Sequence, residues 1–285
     1  MNKWILGARP RTLPAAIAPV LVATALAGNE FQPSRATLAL LVSLSLQVGV
    51  NFANDYSDGI RGTDADRVGP TRLTASGLAS PGAVKRAAYI SFLIGAIAGL
   101  ILAAQTSWWL ILIGGVAILA AWGYTGGQNP YGYSGFGEIS VFIFFGLVAT
   151  MGTFYVQTES VTLQSALASI PIGALSCAIL AINNIRDREK DFLVGKHTLA
   201  VRLGDRNARY FFVFLIISAH TAAIATTFPW GALTLLAAPI SLSVSRKVLK
   251  GAQGEELIPL LGATGKLQLL FATVFSIALI IGYWG

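Results

Sequence analysis

Two short stretches of the chain concentrate oxygen ligands: Asn54-Asp55-Tyr56-Ser57-Asp58, followed by Asp64, and Asn183-Asn184-Ile185-Arg186-Asp187, followed by Asp191. In both, an asparagine precedes an aspartate by four residues, a spacing that puts the two side chains on one face of a helix. Each stretch borders an apolar run. A carboxylate there is costly unless it is paired, solvated or bound to a metal, so two such rows read as a functional site. The donors are all oxygens, since Cys177 is the one cysteine and the two histidines, His197 and His220, lie far apart. That set suits Mg²⁺ better than Zn²⁺.

Basic and glycine-rich sequence follows each row. Arg61, Arg67 and Arg72 come after the first, and Arg188, Gly195 and Lys196 after the second. Carboxylates beside arginine and lysine suit a polyanion that arrives with a divalent cation: the acids hold the metal, the metal bridges phosphate oxygens, and the cations neutralise the remainder. A diphosphate has that chemistry.

The elements that would carry these rows are membrane helices. Only 12% of the 285 residues are charged and 54% are hydrophobic, against roughly 25% charged in an ordinary soluble domain. Apolar stretches long enough to cross about 30 Å of hydrocarbon fall at 13–28, 36–57, 83–105, 107–124, 138–156, 162–185, 208–228, 229–246 and 266–284. The boundary between the seventh and eighth rests on the short turn at Phe228-Pro229-Trp230. Cytoplasmic loops carry the excess of lysine and arginine. With the N-terminus inside and nine spans, 19 of the 20 basic residues fall on the cytoplasmic side and only Arg35 lies outside. The C-terminus is then outside, and the net charge of +7 reflects topology, with no need for nucleic acid.

This topology puts the ends of the second and sixth spans, and both acidic rows, on one membrane surface. Asn54 to Asn183 and Asp58 to Asp187 are both offsets of 129 residues, which reads as a parallel internal repeat around a common axis. The expected architecture is a single all-α domain over residues 1–285, a polytopic bundle of about nine transmembrane helices around a central cavity. His220 reads as a hydrogen-bonded bundle residue, and Trp108, Trp109, Trp230 and Trp284 as interfacial belt residues.

Over essentially its whole length the chain resembles the UbiA superfamily of intramembrane prenyltransferases. The resemblance is carried by Asn54-Asp55-x2-Asp58 with a later Asp64, by Asp187-x3-Asp191, and by the nine spans. Four segments are similar to the MenA branch, the 1,4-dihydroxy-2-naphthoate polyprenyltransferases of menaquinone synthesis: residues 54–64, residues 69–77, the Tyr124 to Glu138 segment, and Asn183 to Asp187 with Gly195-Lys196-x-Thr198-Leu199. Where the superfamily places its last aspartate of the first motif, this chain has Gly62, and the acid comes at Asp64.

The resemblance implies a Mg²⁺-dependent enzyme of the cell membrane with its site facing the cytoplasm. It would transfer a prenyl group from polyprenyl diphosphate to 1,4-dihydroxy-2-naphthoate, releasing diphosphate and carbon dioxide, with no obligatory protein partner. Asp58 and Asp187 are the first candidates for metal ligands and catalysis, then Asp55, Asp64 and Asp191, with Asn54 and Asn183 in support. Arg61, Arg67, Arg72, Arg188 and Lys196 would hold diphosphate, and Lys196 would also serve catalysis. Arg9, Arg11, Tyr124 and Tyr133 would contact the acceptor. Two other acceptor or donor choices stay open, 4-hydroxybenzoate and a phytyl diphosphate. A secondary transporter would instead place its polar site near the midplane, where these spans carry almost no charge.

Overall fold

The computed structural model describes residues 2–63, 69 and 71–285, and among these there are helices and connecting turns but no strand. Among the described residues, nine main helices follow the nine apolar stretches: α1 (Pro14–Ala27), α2 (Pro33–Arg61), α3 (Pro81–Gln105), α4 (Trp109–Gly123), α5 (Gly137–Thr158), α6 (Leu163–Leu193), α7 (Leu199–Thr226), α8 (Trp230–Leu249) and α9 (Leu257–Trp284). Seven of them, α2, α3 and α5 to α9, are long and apolar enough to cross a membrane. The first expected span is a bent pair, Lys3–Thr12 and Pro14–Glu30, meeting at 53°. Proline explains the break: Pro10 and Pro14 lack an amide donor and disfavour helix in the residue before them, and Arg9 turns left-handed at φ 52°. Helix α4 has 15 residues and is therefore about 22 Å long, shorter than the hydrocarbon layer.

Several helices outrun the apolar stretch that announced them. Helix α2 continues to Arg61 and stops at Gly62, whose φ of 72° admits the left-handed cap. Helix α6 continues to Leu193, and α7 begins at Leu199 with a kink at Gly204. Hydropathy marks what a bilayer accepts, whereas a helix runs on while its backbone bonds are satisfied. As a result Asp58, Asp187 and Asp191 sit within the last turns of helices and not beyond them.

The packing follows the repeat. Helix α2 lies along α3 as α6 lies along α7, while α9 and α5 both cover α1. Helix α6 is the most deeply buried span. At the end opposite the acidic rows, Arg35 opens α2 and reaches Glu159 at 2.9 Å, the Val156 carbonyl at 3.1 Å and the Gln105 carbonyl at 2.9 Å. One guanidinium thus ties together the far ends of α2, α3 and α5.

Helices α5 and α6 cross through two glycines. A Cβ built on Gly146 would come 2.7 Å from the Gly173 Cα, and one on Gly173 would meet the Phe142 ring at 2.8 Å. Gly146 lies in a π-helical stretch, Phe142–Val148, a feature often found beside functional sites. Small residues let membrane helices approach closely. Gly173→Val is therefore expected to force the pair apart and destabilise the protein by about 1–3 kcal/mol, read as a lowered thermal midpoint in detergent; an unchanged midpoint would rule out this crossing.

Candidate active site

On α2 the residues Gln47, Asn51, Asn54 and Asp58 are spaced by four, three and four, and so form one continuous helix face. Adding the repeat offset of 129 gives Ser176, Leu180, Asn183 and Asp187 on α6. Gln47, Asn51 and Asn54 line one cavity of about 700 Å³ together with Ser176, Leu180 and Asn183. Its other walls come mainly from α4 and α5, through apolar residues such as Leu110, Ile113, Phe144, Val148 and Met151. The two repeated faces thus flank an apolar chamber that extends from Ser107 and Val156 to the amides. Asp58 and Asp187 stand one turn further along.

Asp58 is the hub of the polar end. Its Oδ1 accepts from the Tyr133 hydroxyl at 2.6 Å and lies 3.1 Å from Lys196 Nζ, while Oδ2 lies 3.6 Å from Arg72 Nη2. Asp58 is 3% exposed and Lys196 and Arg72 are 8% exposed each, so these charges meet away from water. The Lys196 ammonium also sits 4.4 Å from the centre of the Tyr133 ring, a cation–π contact. Burial pulls the Lys196 pKa down, but Asp58 and Tyr133 outweigh it and the net shift is upward. Burial, and then the Asp58 charge, push the Tyr133 phenol up. Lys196 therefore stays a cation and Tyr133 a neutral donor at physiological pH.

The loops are tied down locally. His197 N donates to the Tyr133 carbonyl at 2.8 Å and Lys196 N to the Asp191 carbonyl at 2.7 Å, which docks the α6–α7 turn on the α4–α5 segment. Arg61 donates through Nη1 and Nη2 to the carbonyls of Thr125 and Gly127, and Thr125 Oγ1 donates to Asn54 Oδ1 at 2.6 Å. Tyr124 and Tyr131 both line the cavity, edge to face at 5.5 Å.

Asp55, one residue from Asn54 and hence about 100° around the helix, faces elsewhere. Its two oxygens accept from the backbone amides of Leu73 and Thr74 at 2.8 and 2.9 Å, and it is fully buried. It fixes the loop that carries Arg72. Asp55→Ala is expected to cost about 2–3 kcal/mol of stability and to raise amide exchange first at residues 73 and 74. Unchanged exchange there would deny it this structural role.

The remaining predicted residues separate. Asp187 is held by its own neighbour: Arg186 Nε and Nη2 donate to its two oxygens at 2.7 Å each. Asn183 lines the cavity and also donates back to the Ile179 carbonyl at 3.4 Å. Arg188 turns towards α7, where Nε lies 3.7 Å from Asp205 Oδ1, and Nη2 lies 3.3 Å from Glu189 Oε1. Arg9 lines the cavity and donates to the Asn51 carbonyl at 3.3 Å. Arg11 is exposed and lies against Gly262 on α9, outside the cavity wall. Tyr133 likewise belongs to the Asp58 cluster and not to the cavity wall. Asp64 and Arg67 lie outside the described residues.

The profile of the UbiA prenyltransferase family matches residues 16–261. The chain belongs to that family. Both repeated faces, Asp58, Asp187 and Lys196 lie inside the matched segment. The 1,4-dihydroxy-2-naphthoate octaprenyltransferase of Mycobacterium tuberculosis is 48% identical over 284 residues, covering 98% of this chain and 97% of the relative. The enzyme of the same name from Escherichia coli is 38% identical, covering 99% and 96%. A solved UbiA homolog from Archaeoglobus fulgidus bound to GPP and Mg²⁺ shares the fold, with a TM-score of 0.68 at 14% identity over 98% of this chain and 100% of that one.

Four site residues of this UbiA chain carry no role in the sequence reading. Gln47 Nε2 donates to Thr12 Oγ1 at 3.0 Å, and Asn51 Nδ2 donates to Thr12 Oγ1 at 3.1 Å and to the Ala8 carbonyl at 2.9 Å. With Arg9 they make a polar shelf where the bent first span meets α2. The signal was present: Gln47 and Asn51 are amides inside an apolar run, in step with Asn54 and Asp58. Arg186 gave no comparable signal, because adjacent residues on a helix do not face each other.

Proposed function

We propose that the chain is a 1,4-dihydroxy-2-naphthoate polyprenyltransferase of menaquinone synthesis, transferring the prenyl group of a polyprenyl diphosphate to the naphthoate. The observation that carries this reading is the 700 Å³ cavity, apolar along its length, whose polar end meets the two repeated amide faces next to Asp58 and Asp187. An amphiphile with a long hydrocarbon tail and an anionic head has that polarity. The near full-length likeness to relatives named for this acceptor selects the naphthoate among aromatic nucleophiles.

The reaction breaks the allylic C–O bond and sends its electrons to diphosphate, while a ring carbon of the naphthalenediol forms the new C–C bond. The bond from that carbon to its carboxylate then breaks, carbon dioxide leaves, and demethylmenaquinol remains. Lys196 and Arg72, already gathered around Asp58, would stabilise the charge that grows on the departing diphosphate. Tyr133 orients Asp58 and Lys196. The apolar walls from α4 and α5 keep water from the allylic cation. Arg9 with Thr12, Gln47 and Asn51 offers a cation, a hydroxyl and amides to the acceptor's carboxylate and hydroxyls.

The donor set fits Mg²⁺. Among the described residues no three acids, histidines or cysteines converge, and Mg²⁺ is commonly bound by one or two carboxylates plus substrate phosphates. Asp58 and Asp187 would hold it, with Asp191, Asn54 and Asn183 nearby in sequence; Mg²⁺ then supplies Lewis-acid stabilisation of the leaving diphosphate. The charge asymmetry of the loops supports a site on the cytoplasmic side of the cell membrane.

The test is product formation by the purified protein in nanodiscs with Mg²⁺, one prenyl diphosphate and equal amounts of 1,4-dihydroxy-2-naphthoate and 4-hydroxybenzoate. Demethylmenaquinol is the expected product. Prenylated hydroxybenzoate without any naphthoquinol product would overturn the acceptor assignment.

A further inference from the structure

Arg186 and Asp187 form a pairing that their spacing on α6 does not dictate. The guanidinium curls back over its own helix end and spends Nε and Nη2 on both oxygens of Asp187, at 2.7 Å each. The pair is secluded, with side-chain exposures of 1% for Arg186 and 13% for Asp187. The third nitrogen, Nη1, is buried with no hydrogen-bond partner among the described residues. Packing holds the group there: a Cβ built on Gly69 would lie 3.2 Å from Arg186 Cζ, a tight contact, so the bare backbone of Gly69 fits closely against the guanidinium.

This geometry sets up a competition. A divalent cation bound at Asp187 would face the same two oxygens that the Arg186 fork holds, and its charge would repel the adjacent guanidinium. If a cation took them alone, Arg186 would be left as a buried charge with its donors unmatched, which is strongly unfavourable. An incoming diphosphate removes that penalty, because its oxygens match the planar fork.

We infer that Arg186 couples the two ligands: it is a counter-ion of Asp187 until a cation and a diphosphate arrive together, and it then transfers its hydrogen bonds from Asp187 to phosphate oxygens. The inference rests on the reading of Asp187 as a cation ligand. Arg186 is here a positioning residue that makes cation binding conditional on the anion. By linkage the anion is equally conditional on the cation, and such couplings are typically about 5–150-fold.

The test uses the full-length protein in nanodiscs and Mn²⁺ as a spectroscopic stand-in. Protein-bound Mn²⁺ is followed by electron paramagnetic resonance with and without inorganic pyrophosphate, against a protein-free control for chelation. The wild-type protein is expected to bind Mn²⁺ at least about tenfold more tightly when pyrophosphate is present. Arg186→Gln is expected to bind Mn²⁺ alone more tightly than wild type and to lose most of the enhancement by pyrophosphate. Arg186→Lys keeps the buried charge but cannot engage both oxygens, and should fall between the two; it serves where the glutamine variant folds poorly. Wild-type affinity for Mn²⁺ alone together with wild-type enhancement in both variants would overturn the coupling. Absence of Mn²⁺ binding to the folded wild-type protein under every condition would overturn the metal-site reading itself.

Discussion

Asp58→Asn is expected to lower prenyl transfer by about 10²–10³-fold, the scale on which single well-placed electrostatic partners act in active sites. The carboxylate is 3% exposed and is shared by Lys196 at 3.1 Å, Arg72 at 3.6 Å and the Tyr133 hydroxyl at 2.6 Å. Asparagine can still accept from Tyr133, so the local shape survives. The negative charge does not. Lys196 and Arg72 would then sit buried with one counter-charge fewer, repelling a divalent cation that Asp58 should hold. The loop bearing Arg72 remains fastened through Asp55, so the thermal midpoint should change far less than the rate. Product formation measured beside a melting curve separates the two effects. A rate within threefold of wild type in a normally folded variant would remove Asp58 from the reacting centre.

Gly114→Trp is expected to discriminate donors by length, reducing kcat/KM for long polyprenyl diphosphates by at least about tenfold while geranyl diphosphate is turned over nearly as before. Helix α4 turns one face to the cavity through Leu110, Gly114, Ala117 and Ala121, and a Cβ on Gly114 meets nothing within 4 Å. An indole would occupy that space in the middle of the apolar chamber. The polar end, with Asn54 and Asn183 lining it, lies several turns away and should be undisturbed. A short donor reaches no further than the blocked section, whereas a long tail must pass it. Competition between geranyl and longer donors in one reaction gives the ratio directly. Equal losses for both lengths would mean that the tail does not lie along α4.

Much of the fold is legible in the linear chain because the bilayer is a demanding solvent. Every backbone group in hydrocarbon must be satisfied within its own helix, so the apolar runs locate the helices. The short turn at Phe228-Pro229 divides α7 from α8 where the hydropathy placed it. The limits were less legible, because α2 and α6 keep their backbone bonds well past the last apolar residue. The break in the first span needed the joint effect of Pro10, Arg9 and Pro14, which hydropathy does not register.

For the site, sequence alone determined the stripe. The period of 3.6 residues places Asn54 with Asp58 and Asn183 with Asp187, and the offset of 129 makes the two faces equivalent. Only the tertiary structure decided what each oxygen touches. Asp55 and Asp58 are three residues apart on one helix, yet one is filled by the amides of Leu73 and Thr74 and the other by Lys196, 138 positions away. Arg186 and Arg188 are two apart, and one closes on Asp187 while the other leans to Asp205. Periodicity is a local property of the backbone, fixed by a few consecutive residues. The partner of a buried charge depends on which loops and helices close over it, and that is a property of the whole bundle.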